Sequence, residues 1–269
     1  MESLISKAYL LSGRDFRVSS GVTVHHPTVP EILDINDGVL CEEIYWLYVS
    51  TIMSDPYDYM VMLDDIGVDY EKSNAFEVFA HRWTNAQAEY VKNKAMYDEK
   101  GASPLAVYDE AMSFFFGAGR NFRLVKYKGQ MFIIDDNDGH WVLDKDGFCA
   151  AMEFIVKINC IEGEEHIKPA TPAHKRILID DKRMEEKKRA RKQIKKREKI
   201  DRIGDALATV FSCGAGAITP DNYHKVHIHQ LLSSALSIQK QMVVQSKFNG
   251  IYCGMLKSDK ISDDELRWV

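Results

Sequence analysis

Residues 122–143 read FRLVKYKGQMFIIDDNDGHWVL, and an apolar run from Phe148 to about Cys160 follows them. Phe122-Arg123-Leu124-Val125 and Met131-Phe132-Ile133-Ile134 flank Lys128-Gly129, which predicts two strands joined at a turn. Asp135 to Gly139 reads as a second turn, His140-Trp141-Val142-Leu143 as a third strand, and Asp144-Lys145-Asp146-Gly147 as a third turn. An antiparallel meander capped by a helix is expected here, so the chain is not all-helical.

Working back toward the N-terminus, the period changes to that of helices. Leu105, Tyr108, Met112 and Phe115 form one stripe after Ser103-Pro104, and Phe76, Phe79, Trp83 and Tyr90 form another over 74–94. A helix ends at Ile66 before Gly67, and Ser54-Asp55-Pro56 breaks the helix that precedes it. That earlier helix, over 39–53, is expected to face the core with Leu40, Ile44, Leu47 and Thr51. Thr28-Val29-Pro30-Glu31 has the form of a capping box opening a short helix that ends near Asp37-Gly38. Ala8–Leu11, Phe16–Val18 and Val22–His25 read as short strands.

Toward the C-terminus, Glu162 to Pro172 is a polar linker with two prolines. A long charged helix is expected from about Ala173 to Phe211, ended by Ser212-Cys213-Gly214-Ala215-Gly216. Thr219-Pro220-Asp221 then restarts a final helix, with Tyr223, His227, Leu231, Ala235 and Ile238 on one face. In the tail from Ile251 to Val269, Leu266 and Trp268 are expected to dock. The organisation is therefore a mixed α+β body over 1–161, a linker over 162–172, and a helical region with a basic arm over 173–269. The fold class expected is mostly helical α+β, with small N-terminal β-hairpin elements, the central meander with its helix, the long basic helix and a C-terminal helical hairpin.

Composition narrows the function classes. The chain has 269 residues, of which 45% are apolar and 28% charged, and its formal net charge is −5. Collagen-like and wholly disordered chains are excluded by those values. No apolar run reaches the ~18 residues of a membrane span. Met1–Lys7 lacks a basic segment leading to a small-residue cleavage site, so no secretory signal is expected. Five scattered cysteines without a CxxC pair fit free thiols in a reducing compartment. Residues 182–199 carry 11 basic and 3 acidic side chains, and the rest of the chain is correspondingly acidic. Such an arm can reach toward an anionic partner or fold back on its own acidic body.

The candidate chemistry is sparse. Asp144, Asp146 and Glu153 fall at calcium-loop spacing around Gly147, but Val142 occupies the position where a ligating Asp is needed, so β-turns are expected. Gly117-Ala118-Gly119 and Gly214-Ala215-Gly216 lack the continuation of a phosphate loop. His224 and His227 would share a helix face with His229 turned elsewhere, which leaves a metal without ligands. No catalytic set, cofactor or metal is expected. The basic residues Lys187, Lys188, Arg189, Arg191, Lys192, Lys195, Lys196 and Arg197 have the best claim to a role, as a partner-binding face. They could neutralise phosphates, yet no aromatic side chain lies among them to stack on a base.

In order along the chain, several segments resemble a family of tail-region proteins from phages and prophages of Gram-positive bacteria. They are His26-Pro27-Thr28-Val29-Pro30-Glu31-Ile32, Asp55-Pro56-Tyr57-Asp58, Leu63–Tyr70, Phe76-Glu77-Val78-Phe79, the meander with Phe148 to Asn159, Pro169 before the basic helix, and Ile218–Tyr223. Members of that family tend to have a more aromatic run where His227-Ile228-His229-Gln230-Leu231 stands. The resemblance implies a tail assembly chaperone that keeps the tape-measure protein soluble in the bacterial host cytoplasm, without catalytic residues. The alternatives are a structural component of the virion neck or tail, and a nucleic-acid-binding accessory protein acting through the basic helix.

Overall fold

A computed structural model describes residues 5–19, 21–101, 103–162, 166–193, 201–213 and 218–253. The chain is a mostly helical α+β protein with two small antiparallel sheets. It begins with α1 (Lys7–Leu11) and the hairpin β1 (Phe16–Ser19) and β2 (Val22–Val24). The helices α2 (Val29–Leu33), α3 (Cys41–Ile52), α4 (Met60–Asp65), α5 (Ala75–Lys92), α6 (Lys94–Lys100) and α7 (Ala106–Phe116) follow. The meander is β3 (Phe122–Tyr127), β4 (Gln130–Asp135) and β5 (Asp138–Leu143), and α8 (Lys145–Ile158) follows it. The C-terminal helices are α9 (Pro172–Gln193), α10 (Arg202–Cys213) and α11 (Ile228–Tyr252).

The meander forms as its alternation demands. Tyr127 pairs with Gln130 across Lys128-Gly129, both of which have positive φ, the geometry that a two-residue turn needs to match strand twist. Ile133, Trp141 and Leu143 point inward, and Trp141 packs against Phe122 and Phe116. Asp135, at the end of β4, accepts from the amides of Asn121 and Asn137 and pairs with Arg120 at 3.0 Å. Those bonds outweigh the cost of burial and hold its carboxyl below the usual range. Helix α8 packs on α5 and on the N-terminal hairpin: Phe148 meets Phe79 of α5 with ring centroids 4.7 Å apart, and Phe154 stacks on Phe16 of β1 at 5.1 Å.

Four local expectations are corrected. Ala8–Leu11 is part of α1 rather than a strand, because Ser6 Oγ accepts from the Tyr9 amide and caps a single helical turn. Four apolar residues carry no period, so a cap decides such a segment. In α3 the core face is Glu42, Tyr45, Tyr48, Val49 and Ile52, joined by Thr51, whereas Leu40 and Leu47 are 56% and 50% exposed. Two stripes of helical period compete there, and the one with the larger aromatic area is buried. Helix α8 starts at Lys145, before Phe148, because Asp144 Oδ1 caps it through the Gly147 amide at 2.8 Å. Asp144 is thus an N-cap, not a turn residue. Finally, α11 starts at Ile228, well after Thr219-Pro220-Asp221, which leads only into a single 3-10 turn at Tyr223–Lys225.

The long helix expected over 173–211 is two elements, with Asp201 non-helical between them. Helix α10 turns back onto the body, where Ile203, Ala206 and Val210 join the same core as Phe154 and Leu231. Its first turn is held by Glu42 of α3, whose two carboxylate oxygens accept from the Ile203 and Gly204 amides at 2.9 and 2.8 Å. The helix N-terminus otherwise leaves those donors without partners. Gly214-Ala215-Gly216, Leu266 and Trp268 lie outside the described residues.

Candidate functional site

Helix α9 divides into a docked half and a projecting half. On the docked face, Lys175 pairs with Asp69 and, at 2.7 Å, with Glu71. Lys182 lies 3.5 Å from Asp58, and Arg183 lies 3.4 Å from Asp64 and 2.5 Å from Asp65. Burial lowers the Lys175 ammonium, but the hydrogen bonds to Asp69 and Glu71 outweigh it and raise the group. The Lys175 hydrogen bond in turn holds Asp69 below the usual carboxylate range. The first three turns of α9 therefore fold back on the acidic body.

Beyond Arg183 the arm projects. Lys187, Lys188 and Arg189 are exposed, and among the described residues Arg189 pairs only within the helix, with Glu185 at 2.7 Å. Arg191 and Lys192 continue the helical backbone, whereas Lys195, Lys196 and Arg197 lie outside the described residues. The docked Lys175 precedes the basic run that sequence reading singled out. Its signal was available only as spacing: Lys175, Ile179, Lys182 and Arg183 lie at i, i+4, i+7 and i+8 on one helix face.

A second feature was not legible in the sequence. Residues 26–29 and 226–228 run side by side, with the Val29 amide donating to Val226 O at 2.8 Å and the Ile228 amide to Pro27 O at 3.0 Å. The N-termini of α2 and α11 are thereby tied together. His227 Nδ1 lies 2.8 Å from His26 O, and Gln230 both accepts from the His227 amide and donates to Leu11 O. His26 is fully buried, 4.9 Å from the His227 ring and edge-on to Phe154. Among the described residues, neither of its ring nitrogens has a partner within hydrogen-bonding geometry. Burial, followed by repulsion from His227, His229 and His25, pushes it down to about 4, opposed only weakly by the Arg14 carbonyl. His224 sits in the 3-10 turn and His227 at the α11 N-cap, so the shared helix face expected for them does not form.

Two further groupings have the composition of reactive sites, and their geometry opposes it. His25 stands between Asp15 and Glu31, at 3.0 and 3.2 Å, on the wall of an open groove of about 630 Å³ beside Phe114 and Asp34. Each ring nitrogen already faces a carboxylate, which leaves none to act on a substrate. Glu31 is raised by burial but lowered overall by hydrogen bonds from Thr28 and His25. Cys160 Sγ lies 3.6 Å from His229 Nδ1, yet that nitrogen also faces the Lys157 carbonyl at 3.1 Å, so it serves as a donor. Burial pushes the Cys160 thiol up, away from the thiolate that a nucleophile requires. Among the described residues, no group of three or more His, Cys, Asp or Glu is arranged to hold a metal ion. No helix among them is long and apolar enough to cross a membrane.

No family model, no curated protein and no solved structure matches this chain.

Proposed function

We propose that the protein is a phage tail morphogenesis factor, a tail assembly chaperone that holds the tape-measure protein in the host cytoplasm through the projecting half of α9. The carrying observation is the split character of that helix. Lys175, Lys182 and Arg183 are engaged by the body, whereas Lys187 and Lys188 are exposed and, among the described residues, have no acidic partner. The ordered resemblance of the chain to tail-region proteins supports the same reading. Exposed ion pairs are worth only ~0–1 kcal/mol each, so such a face suits reversible contacts that release the client as the tube grows.

Coexpression with the tape-measure protein of the same genome, followed by size exclusion, tests this. A co-eluting complex is expected. Recovery of the protein from purified virions by mass spectrometry, with no free complex, would instead favour a neck or tail component. A salt-sensitive DNA or RNA shift lost on neutralising Lys187 and Lys188, with client recovery unchanged, would favour the nucleic-acid reading.

A further inference from the structure

We infer that the acidic, apolar cradle formed by Asp58, α4 and residues 68–78 is a binding site for a basic helix with a single apolar anchor on a partner protein, a site that α9 fills in the free protein. This rests on the reading of the protein as a holder of a partner protein and names the surface and the partner chemistry.

Met60, Val61, Leu63, Tyr70 and Val78 form a small apolar cluster separate from the main core, and Ile179 is the α9 residue buried in it. Around it stand Asp58, Asp64, Asp65, Asp69 and Glu71, each paired with Lys175, Lys182 or Arg183. Lys175 Nζ also lies 4.6 Å over the Tyr70 ring, whose buried hydroxyl has no hydrogen-bond partner among the described residues. The recognition pattern is therefore one apolar anchor, a base one turn before it, and two bases one turn after it. A partner helix with the same arrangement meets the same carboxylates and the same apolar floor.

The present occupant is held lightly. A single buried side chain anchors it, and its acidic partners are 35–63% exposed, so salt screens the pairs. On the opposite face of α9, Ile177 and Met184 are exposed. Upstream, the chain is fixed to the body where His166 stacks on Tyr57 at 4.1 Å and meets Asp55 at 2.9 Å. Release of α9 would thus leave this anchor in place and uncover Met60, Val61, Leu63 and Tyr70 together.

The probe is a fluorescent 22-residue peptide of the α9 sequence, Pro172–Gln193, which stands in for the partner helix. Its binding is measured by anisotropy to the full chain and to the full-chain K175E/K182E/R183E variant. The variant is expected to bind at least about ten-fold tighter, because its own helix no longer competes, and a peptide carrying Ile179→Asp should not bind. Equal affinities for a variant that still melts cooperatively would overturn the proposal. If the variant does not fold, hydrogen exchange on the unaltered protein decides. Amides over 175–184 should exchange about ten-fold faster in ~0.5 M than in ~0.05 M NaCl, with those of α8 unchanged. Protection of α9 equal to that of α8 at both salts would make it a fixed part of the core and overturn the proposal. A stable dimer that excludes the peptide would do so too, by making a second copy the occupant. No tail protein enters these measurements, so their failure and a failure of the chaperone reading are separately visible.

Discussion

His26 should make the protein acid-labile in a window where carboxylates are still ionised. The ring is fully buried, has no hydrogen-bond partner among the described residues, and its protonation is pushed from an ordinary value of 6.5 to about 4. Below pH 6.5 the unfolded chain takes up a proton that the folded protein refuses until near pH 4. Stability is therefore fully present at higher pH and is lost as pH falls through that interval. A gap of about 2.5 pH units corresponds to about 3.4 kcal/mol in the limit, and to about 2 kcal/mol between pH 7 and pH 5. Replacing His26 by Leu removes the titrating group and leaves His229, also lowered mainly by burial, in both proteins. Urea unfolding at the two pH values should then show a loss that is about 2 kcal/mol smaller in the variant than in the parent. Equal losses in the two proteins would refute the reasoning, since the proton would then have been taken up without opening the fold.

Substitutions at three other positions probe the joints of the structure. Glu42→Ala should cost about 2–3 kcal/mol in urea unfolding, because it strands the Ile203 and Gly204 amides at the start of α10, and Glu42→Gln should cost less. The Glu42 carboxyl is raised chiefly by burial, with its amide bonds opposing, so its own contribution favours the fold at low pH and fades as pH rises through its pKa. Gly13→Ala should destabilise by about 2 kcal/mol or more in the same assay, since φ is +69° and a Cβ would collide with the His227 ring. Leu40, exposed at a left-handed φ of 55°, should gain about 0.5–1 kcal/mol on replacement by Asn, read as a rise in melting temperature.

Much of the fold could be read in the chain because local signals agreed there. Thr28 and Glu31 make the capping box, with Glu31 Oε2 accepting from the Thr28 amide at 2.7 Å. The meander follows its alternation, and Gly67 ends the segment after α4 with φ +74°. What could not be read depends on distant partners. The choice between two stripes on α3 was made by the neighbours of Tyr45, whose hydroxyl donates to Asn159 114 residues away. The start of α11 was set by pairing with residues 27–29, and the break between α9 and α10 lies where Glu42 caps the second helix. For the candidate site, the basic run was plain as composition. Which carboxylates would neutralise its first turns was not, because spacing puts Lys175, Lys182 and Arg183 on one helix face but does not say that Asp58, Asp64, Asp65 and Asp69 meet it.

The measurement that bears most directly on the proposed function is the soluble fraction of the tape-measure protein in cells, with and without this protein and its neutralised form. Coexpression should raise that fraction several-fold. Gln at Lys187, Lys188, Arg189, Arg191 and Lys192 should remove most of the gain while the purified variant keeps the melting temperature of the parent. A tape-measure protein that stays equally insoluble with and without the parent protein would contradict the chaperone reading. An undiminished gain with the neutralised variant would contradict the role given to α9.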